Sequence, residues 1–537
     1  MSDHRQHTRP GFVLEVDRST PPVLFHAGEG FHLEKLPVGS RVLYPNEPLP
    51  PLEDPDAAIR YALLNPLGDS EPLPALLKPG MKLTIAFDDL SLPLPPMRRP
   101  DNRQRVIEAV LEMAAEAHVD DVVLIAALGL HRRMTEAELR HALGDRIYDA
   151  FAPHGLLQQH DGEDPSNLVV VGQTAHGELV EMNKRAATSD LLVYVNINLV
   201  SMDGGHKSLG TGLTSYRSLR HHHNVRTLQE SRSVMDQKRS ELHSSNWRMG
   251  RLLKTEGVKV FQIETTLNND TFPSAFRFLQ RREWEWAARD RASYLAVSKS
   301  LERTPRPMSR QIFSSIKAPH RMTGVNAGDV EAVHAVTTEA VYRQQMVPVE
   351  GQADILTMGL PYICPYNVNS VMNPILVMCL GLGYFFNLYR GKPLVRQNGV
   401  VIMSHPTPWE FHPVHHPSYI DFFEQVLTET TDPLEIEAKY EEDFATDPWY
   451  IHLYRTSYAY HGVHPFYMWY WGAHALQHLH PNGVIIVGGD AKAVRRLGFK
   501  PASTFRDALE MAGDVVGRDP SIMHLKCPPL VMADVTA

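Results

Sequence analysis

The sequence predicts an α/β protein built from two α/β domains with mainly parallel sheets and an active-site cleft between them. Three observations carry that reading. The 537 residues exceed one ordinary core at about 150 residues per domain. The 43% hydrophobic and 21% charged content supplies enough apolar side chains for large buried interiors. In two separate stretches, short apolar runs alternate with helical periodicity, the pattern of strand and helix units around a parallel sheet.

Residues 1–80 hold short β-rich pieces and many prolines, end in a helix-like stretch over 57–64, and are assigned to the first domain. Residues 81–280 form that domain's α/β unit, with buried strands at 83–87, 122–128, 168–171 and 191–195. Its helices fall at 103–117 and 135–143, the second opened by Thr135 with Glu138 three residues on, a capping box. Residues 281–322 are Arg-rich and contain Arg303-Thr-Pro-Arg-Pro-Met, which marks an insertion or linker. Residues 323–537 form the second α/β domain, with strands at 354–358, 399–404 and 483–487. The longest apolar run, about 375–386, is too short to cross a bilayer and reads as a buried helix.

Composition narrows the function. Against 62 Asp+Glu, 53 Lys+Arg leave a formal charge of −9, so no basic excess exists to displace counterions from nucleic acid and no such partner is expected. Cys364, Cys379 and Cys527 form no C-x-x-C pair, which argues against a disulfide framework or a cysteine zinc site. The polar N-terminus has no apolar leader, so a cytoplasmic protein without a membrane partner is expected. The 28 histidines call for metal or proton chemistry to be weighed. Gly210-Thr-Gly212 and Gly381-Leu-Gly383 both lack the third glycine of a dinucleotide fingerprint. No P-loop, H-E-x-x-H or G-x-S-x-G motif occurs.

Three clusters sit just beyond strand ends, where open α/β sheets bind ligands. Asp88-Asp89 is followed by prolines that stop the strand and hold the carboxylates at its tip, unless this is a solvated turn. Gly129-Leu-His131 sets an imidazole between a strand end and a helix cap, suited to a general base or to a structural role. Asp203-Gly204-Gly205-His206-Lys207-Ser208-Leu-Gly-Thr-Gly212 is a glycine-rich loop whose N–H groups can cradle a phosphate beside a lysine, or a flexible surface loop. Sixteen residues past Lys207, His223 ends the run His221-His-His, and neutral imidazole suits nickel, copper or zinc. At most one or two of these three histidines can face one metal.

These motifs resemble, in order and spacing, the nickel-dependent lactate racemase family, whose members use a nickel-pincer nucleotide. The resemblance runs from the 57–64 helix and Asn65-Pro-Leu-Gly through Asp-Asp-x-x-x-Pro, Gly-x-His-Arg-x-Met and Gly-Gly-x-Lys-Ser. It resumes at Gly328-Asp-Val-Glu-Ala-Val-His334 and closes over 497–509. It implies that 81–280 bind the cofactor, with Lys207 tethering it through a thioamide in a loop formed by Gly204, Gly205 and Ser208. His223 would complete square-planar Ni(II), Asp89 would lie near cofactor and substrate, and His131 would be one of two catalytic histidines. In the chemistry that the resemblance implies, a base removes the substrate hydroxyl proton while hydride moves from its carbon to the cofactor, and hydride return to the other face inverts the centre. The resemblance also implies a small-molecule partner and cofactor-building enzymes.

The departures shape the substrate expectation. Leu92 stands where the family places a substrate-binding arginine, leaving Arg98 or Arg99 as replacements. No histidine occurs over 196–203, so Asp203 or His206 is expected as the second acid/base. Asn367, Asn369 and Asn373 occupy the region of the family's substrate Gln and Lys, and amides suit hydroxyls. The expected activity is therefore racemisation or epimerisation of a 2-hydroxy acid larger or more hydroxylated than lactate. The alternatives are another hydroxyl-centred redox or isomerase reaction on a sugar-like substrate, or a non-catalytic nickel- or cofactor-binding relative.

Overall fold

A computed structural model describes residues 8–91 and 95–536. Six strands form the first sheet in the order Met322–Gly328, Val260–Leu267, Leu191–Asn198, Lys82–Asp88, Asp121–Ala127, Leu157–Gln159. All neighbours run parallel except Met322–Gly328, which closes one edge antiparallel. The central strands are almost wholly buried, as expected of a sheet covered on both faces by helices. Helix Asn102–Glu116 follows the first of them, and Glu136–Leu143 opens with the Thr135/Glu138 capping box that the sequence predicts.

The second sheet has nine strands, with a parallel centre of Ile522–Leu525, Ala353–Pro361, Val395–Ser404, Val484–Val487 and Lys500–Ala502. The apolar run over 375–386 is buried, as helix Pro374–Met378 followed by a wider π-turn over Cys379–Phe385. Among the described residues no helix is long and apolar enough to cross a membrane.

Three boundaries differ from expectation. Strands Phe12–Glu15, Val23–Gly28 and Arg41–Tyr44 join the second sheet, not the first domain to which residues 1–80 were assigned. Phe12–Glu15 pairs with Arg41–Tyr44, but Val23–Gly28 and Arg41–Tyr44 reach the sheet through strands more than 300 residues away, a pairing that local pattern does not encode. The run at 168–171 is half of an antiparallel hairpin, Leu168–Gln173 with Leu179–Asn183, outside the parallel sheet. The stretch 281–322 leaves the first sheet after Val260–Leu267 and returns at its edge strand, so the border expected at 322/323 falls inside that strand. This excursion is anchored: buried Glu283 accepts from Tyr44 Oη (2.7 Å) and the Leu24 N–H (2.9 Å) and pairs with Lys526.

Candidate active site

Because strands Lys82–Asp88, Asp121–Ala127 and Leu191–Asn198 are adjacent and parallel, the three loops singled out in the sequence emerge side by side from one sheet edge. The second domain covers that edge. Leu130, Met202 and Leu219 share a continuous apolar core with Tyr366, Tyr384, Tyr467 and Trp471. Tyr454 Oη donates to Gly129 O (2.8 Å) and Arg132 Nη2 to Val368 O (2.9 Å), which fixes the His131 loop against its cover. Between the domains lies a cavity of about 90 Å³ bordered by His131, Asp203, Lys207 and His223 on one side and Tyr366, Tyr384, His464 and Trp471 on the other.

His131 faces this cavity with its Nδ1 2.8 Å from Asp89 Oδ2. Asp89 also accepts from the Ser91 N–H (2.9 Å) and Ser91 Oγ (3.0 Å). Burial pushes its carboxyl up, but the His131 charge and these hydrogen bonds outweigh that and hold it below the usual carboxylate range. An ionised Asp89 makes Nδ1 of His131 the protonated nitrogen, leaving Nε2 as a proton acceptor. Asp88, one residue earlier, accepts from the Ile197 N–H (2.7 Å). Burial pushes it up to about 7.

Lys207 Nζ lies 3.9 Å from Asp203 Oδ1 at the start of helix His206–Gly212. Burial raises the Asp203 carboxyl above its ordinary range despite the lysine. His223 is buried, and burial with the neighbouring His222 drives its ring well below the usual imidazole range, so it is neutral. A hydrogen-bond chain sets its tautomer. Gly210 O only accepts, so His222 Nε2 donates to it (3.2 Å). His222 is likewise neutral, pushed down to about 3 by burial. Its bare Nδ1 therefore accepts from His223 Nδ1–H (2.8 Å), and His223 Nε2 is left with a free lone pair.

Several expected residues are engaged elsewhere. His206 turns away from the cavity to Glu331 (3.2 Å) beside Trp247, its ring packed against Gly250 of helix Glu241–Thr255, where a Cβ would sit 2.0 Å from His206 Nδ1. Gly205 N–H, expected to cradle a phosphate, donates to buried Glu264 Oε1 (2.6 Å), and Ser208 Oγ donates to Asn196. The glycines are needed for close approach: at Gly204, with φ +91°, a Cβ would sit 2.4 Å from Asn198 Nδ2 and 2.5 Å from Glu264 Oε1.

The three amides expected to meet substrate are engaged within the protein instead, Asn367 and Asn373 on backbone N–H groups, the usual employment of Asn in turns and caps, and Asn369 on a carboxylate. Asn367 accepts from the Cys364 N–H (2.7 Å), Asn369 donates to Glu138 (2.8 Å), and Asn373 caps helix Pro374–Met378. Leu92 lies outside the described residues. Arg99 reaches Arg140 O and Asp145, and Arg98 and Arg99 line a different cleft.

The residue that the sequence reading missed is His464, on the second-domain wall. Its only advance signal was a dense run of five histidines over 461–480. Among the described residues no three His, Cys, Asp or Glu side chains converge to hold a metal. A metal at His223 would take its other ligands from outside the protein.

Residues 31–236 match the lactate racemase N-terminal domain. The chain is 26% identical over 171 residues to the lactate racemase of Lactiplantibacillus plantarum and 25% identical over 171 residues to that of Thermoanaerobacterium thermosaccharolyticum. The match takes in 31% of this chain and spans 37% of the length of either relative. In structure, the chain is similar to the lactate racemase apoprotein from Thermoanaerobacterium thermosaccharolyticum, with a TM-score of 0.62 over 95% of this chain and 99% of that one at 17% identity. It is also similar to a protein from Thermotoga maritima, with a TM-score of 0.50 over 92% of this chain and 100% of that one at 12% identity. Both likenesses show the α/β fold.

Proposed function

We propose, from the premise that this chain is a divergent lactate racemase-like protein, that it is a racemase or epimerase acting at the hydroxyl-bearing carbon of a 2-hydroxy acid. The observation that carries the reading is one cavity that gathers His131 on its Asp89 support, Lys207 beside Asp203, and the bare Nε2 of His223.

The donor set fits a nickel-pincer nucleotide. Lys207 offers an amine for a covalent tether, and His223 offers one neutral imidazole nitrogen, a favourable ligand for square-planar Ni(II). When bound, that group supplies hydride acceptance and return. A pocket of about 90 Å³ is well below the roughly 300–1,000 Å³ of ordinary ligand sites. Loading the cofactor and admitting substrate therefore require the two domains to part. Gly204, Gly205 and Ser208 supply the tight loop that aims Lys207 and leave the nucleotide's phosphate to other groups.

In this site His131 Nε2 takes the hydroxyl proton as hydride leaves the same carbon, and Asp89 stabilises the imidazolium that forms. Closure of the aromatic wall, Tyr366, Tyr384, Tyr467 and Trp471, keeps water from the oxidised intermediate. A preference for a larger, hydroxyl-rich substrate no longer rests on the three Asn amides. Its remaining support is the phenol set of the cavity, in which buried Tyr467 Oη has no hydrogen-bond partner among the described residues.

The test is turnover of a panel of lactate, larger aliphatic and aryl 2-hydroxy acids, aldonic acids and sugars by protein made with the cofactor-building enzymes. Interconversion of the enantiomers or epimers of any 2-hydroxy acid supports the reading. Cofactor-loaded protein that inverts none of them, or acts only on sugars, contradicts it.

A further inference from the structure

Racemisation by hydride removal and return places a demand on the protein that His131 alone does not meet. If one fixed acceptor takes hydride from both enantiomers, each must turn its C–H toward the same wall, and their hydroxyls then point to different sides. One imidazole does not reach both. Of the first-domain groups expected to supply a second carrier, His206 faces Glu331, and Asp203, on the cavity border, holds the backbone N–H groups of Leu199 (3.2 Å) and Val200 (3.1 Å) with Oδ2 and faces Lys207 with Oδ1 (3.9 Å).

The opposite wall carries a histidine with one ring nitrogen unpartnered among the described residues. His464 is the first residue of helix His464–Tyr470 and is only 2% exposed. Its Nδ1 is held 2.6 Å from Tyr419 Oη, while its Nε2 has no hydrogen-bond partner among the described residues. The ring borders the same cavity as His131 and stands edge-on to it, centroids 5.3 Å apart at 81°. A buried imidazole nitrogen without a partner is costly for stability alone and calls for a reason.

Resting on the racemase reading above, we propose that His464 is the second proton carrier of the reaction, supplied by the second domain. The role requires that Tyr419 Oη accept from His464 Nδ1–H, the direction of their 2.6 Å hydrogen bond that leaves Nε2 bare. For one enantiomer, the hydroxyl proton would pass to His464 Nε2 as the substrate carbon gives up hydride, acceptance of which the bound nucleotide would supply, leaving the 2-oxo acid. For the other, His131 takes that proton. Return of hydride to the opposite face, with the proton coming from the histidine on that side, completes inversion with no net oxidation. Since the two histidines belong to different domains, only the closed arrangement assembles the pair.

The experiment uses cofactor-loaded protein and each separate enantiomer of a 2-hydroxy acid that the wild type racemises. The 2-oxo acid is counted after acid quench of a single turnover. His464→Gln is expected to slow its formation from one enantiomer at least about 10²-fold, the lower range for loss of a general base, and from the other by less than about threefold. His131→Asn is expected to show the reverse preference. Tyr419→Phe, which leaves the cavity wall intact, is expected to repeat the His464 bias in weaker form. The nitrogen-15 spectrum of histidine-labelled protein without cofactor is expected to show His464 as a neutral ring with bare Nε2. A wild type that inverts no 2-hydroxy acid removes the racemase reading and this assignment with it. A wild type that racemises while His464→Gln, with full adduct and nickel, treats both enantiomers alike overturns this assignment alone. If His464→Gln does not fold, an unbiased Tyr419→Phe together with a ring protonated at Nε2 overturns it.

Discussion

Replacing His222 by Phe should weaken nickel binding although His222 touches no metal. The wild-type ring is fully buried and donates to Gly210 O while accepting from His223 Nδ1, so it alone fixes which His223 nitrogen is bare. Phe fills a similar volume and offers neither group. One neutral hydrogen bond is worth about 0.5–1.5 kcal/mol, a factor of roughly 2–12 in the population of the ligating tautomer. Loss of the acceptor that makes His223 a stronger donor brings the expected fall in affinity to about 10–100-fold, or about 1.4–2.7 kcal/mol. Gly210 O loses its partner, so the fold should also lose about 1–3 kcal/mol. The assay is nickel per chain by mass spectrometry during dialysis against a graded chelator, with His221→Ala as control because His221 lies outside the chain. Wild-type nickel retention by folded His222→Phe would refute the tautomer argument.

Two further outcomes follow from the same geometry. His131→Asn should keep adduct and nickel while activity falls at least about 10²-fold, checked by intact mass and racemisation rate on one preparation; retained activity would make His131 structural. Asp88 is raised in the fold to about 7 from 3.8, so the fold favours its protonated form. That contribution is full below about pH 3.8 and is lost as pH rises through about 7. Asp88→Asn should therefore gain stability over wild type by roughly 2–3 kcal/mol more at pH 8 than at pH 5 in urea unfolding, and a pH-independent difference would contradict the burial argument.

The sequence disclosed what chain-local pattern can hold. Apolar runs ending in Phe87, Leu128 and Val195 marked parallel strands, and parallel strands deliver their following loops to one edge, so His131, Lys207 and His223 were legible as neighbours. The runs at 23–28 and 41–44 carry no mark of the partner strands beyond residue 350, and their sheet was misassigned. Asn367 and Asn373 looked like free amides because turn and cap bonding depends on backbone geometry that composition does not show, and Asn369 because its partner Glu138 lies far away in the chain. Asp203 and His206 were named for the second acid/base from the segment beside Lys207, and His464 was not considered. A helix turns adjacent side chains about 100° apart, so the neighbour of a cavity residue faces elsewhere, while a residue 257 positions on completes the wall.

The account stands most directly on whether Lys207 and His223 share one cofactor. Protein made alongside the cofactor-building enzymes should show, by intact mass, peptide mapping and metal analysis, a nucleotide-sized covalent increment on Lys207 with one nickel per chain. Lys207→Ala should lose the increment, and His223→Ala should keep it while losing nickel. An unmodified chain without nickel, under conditions that load an authentic lactate racemase, or an adduct on another lysine, would contradict it.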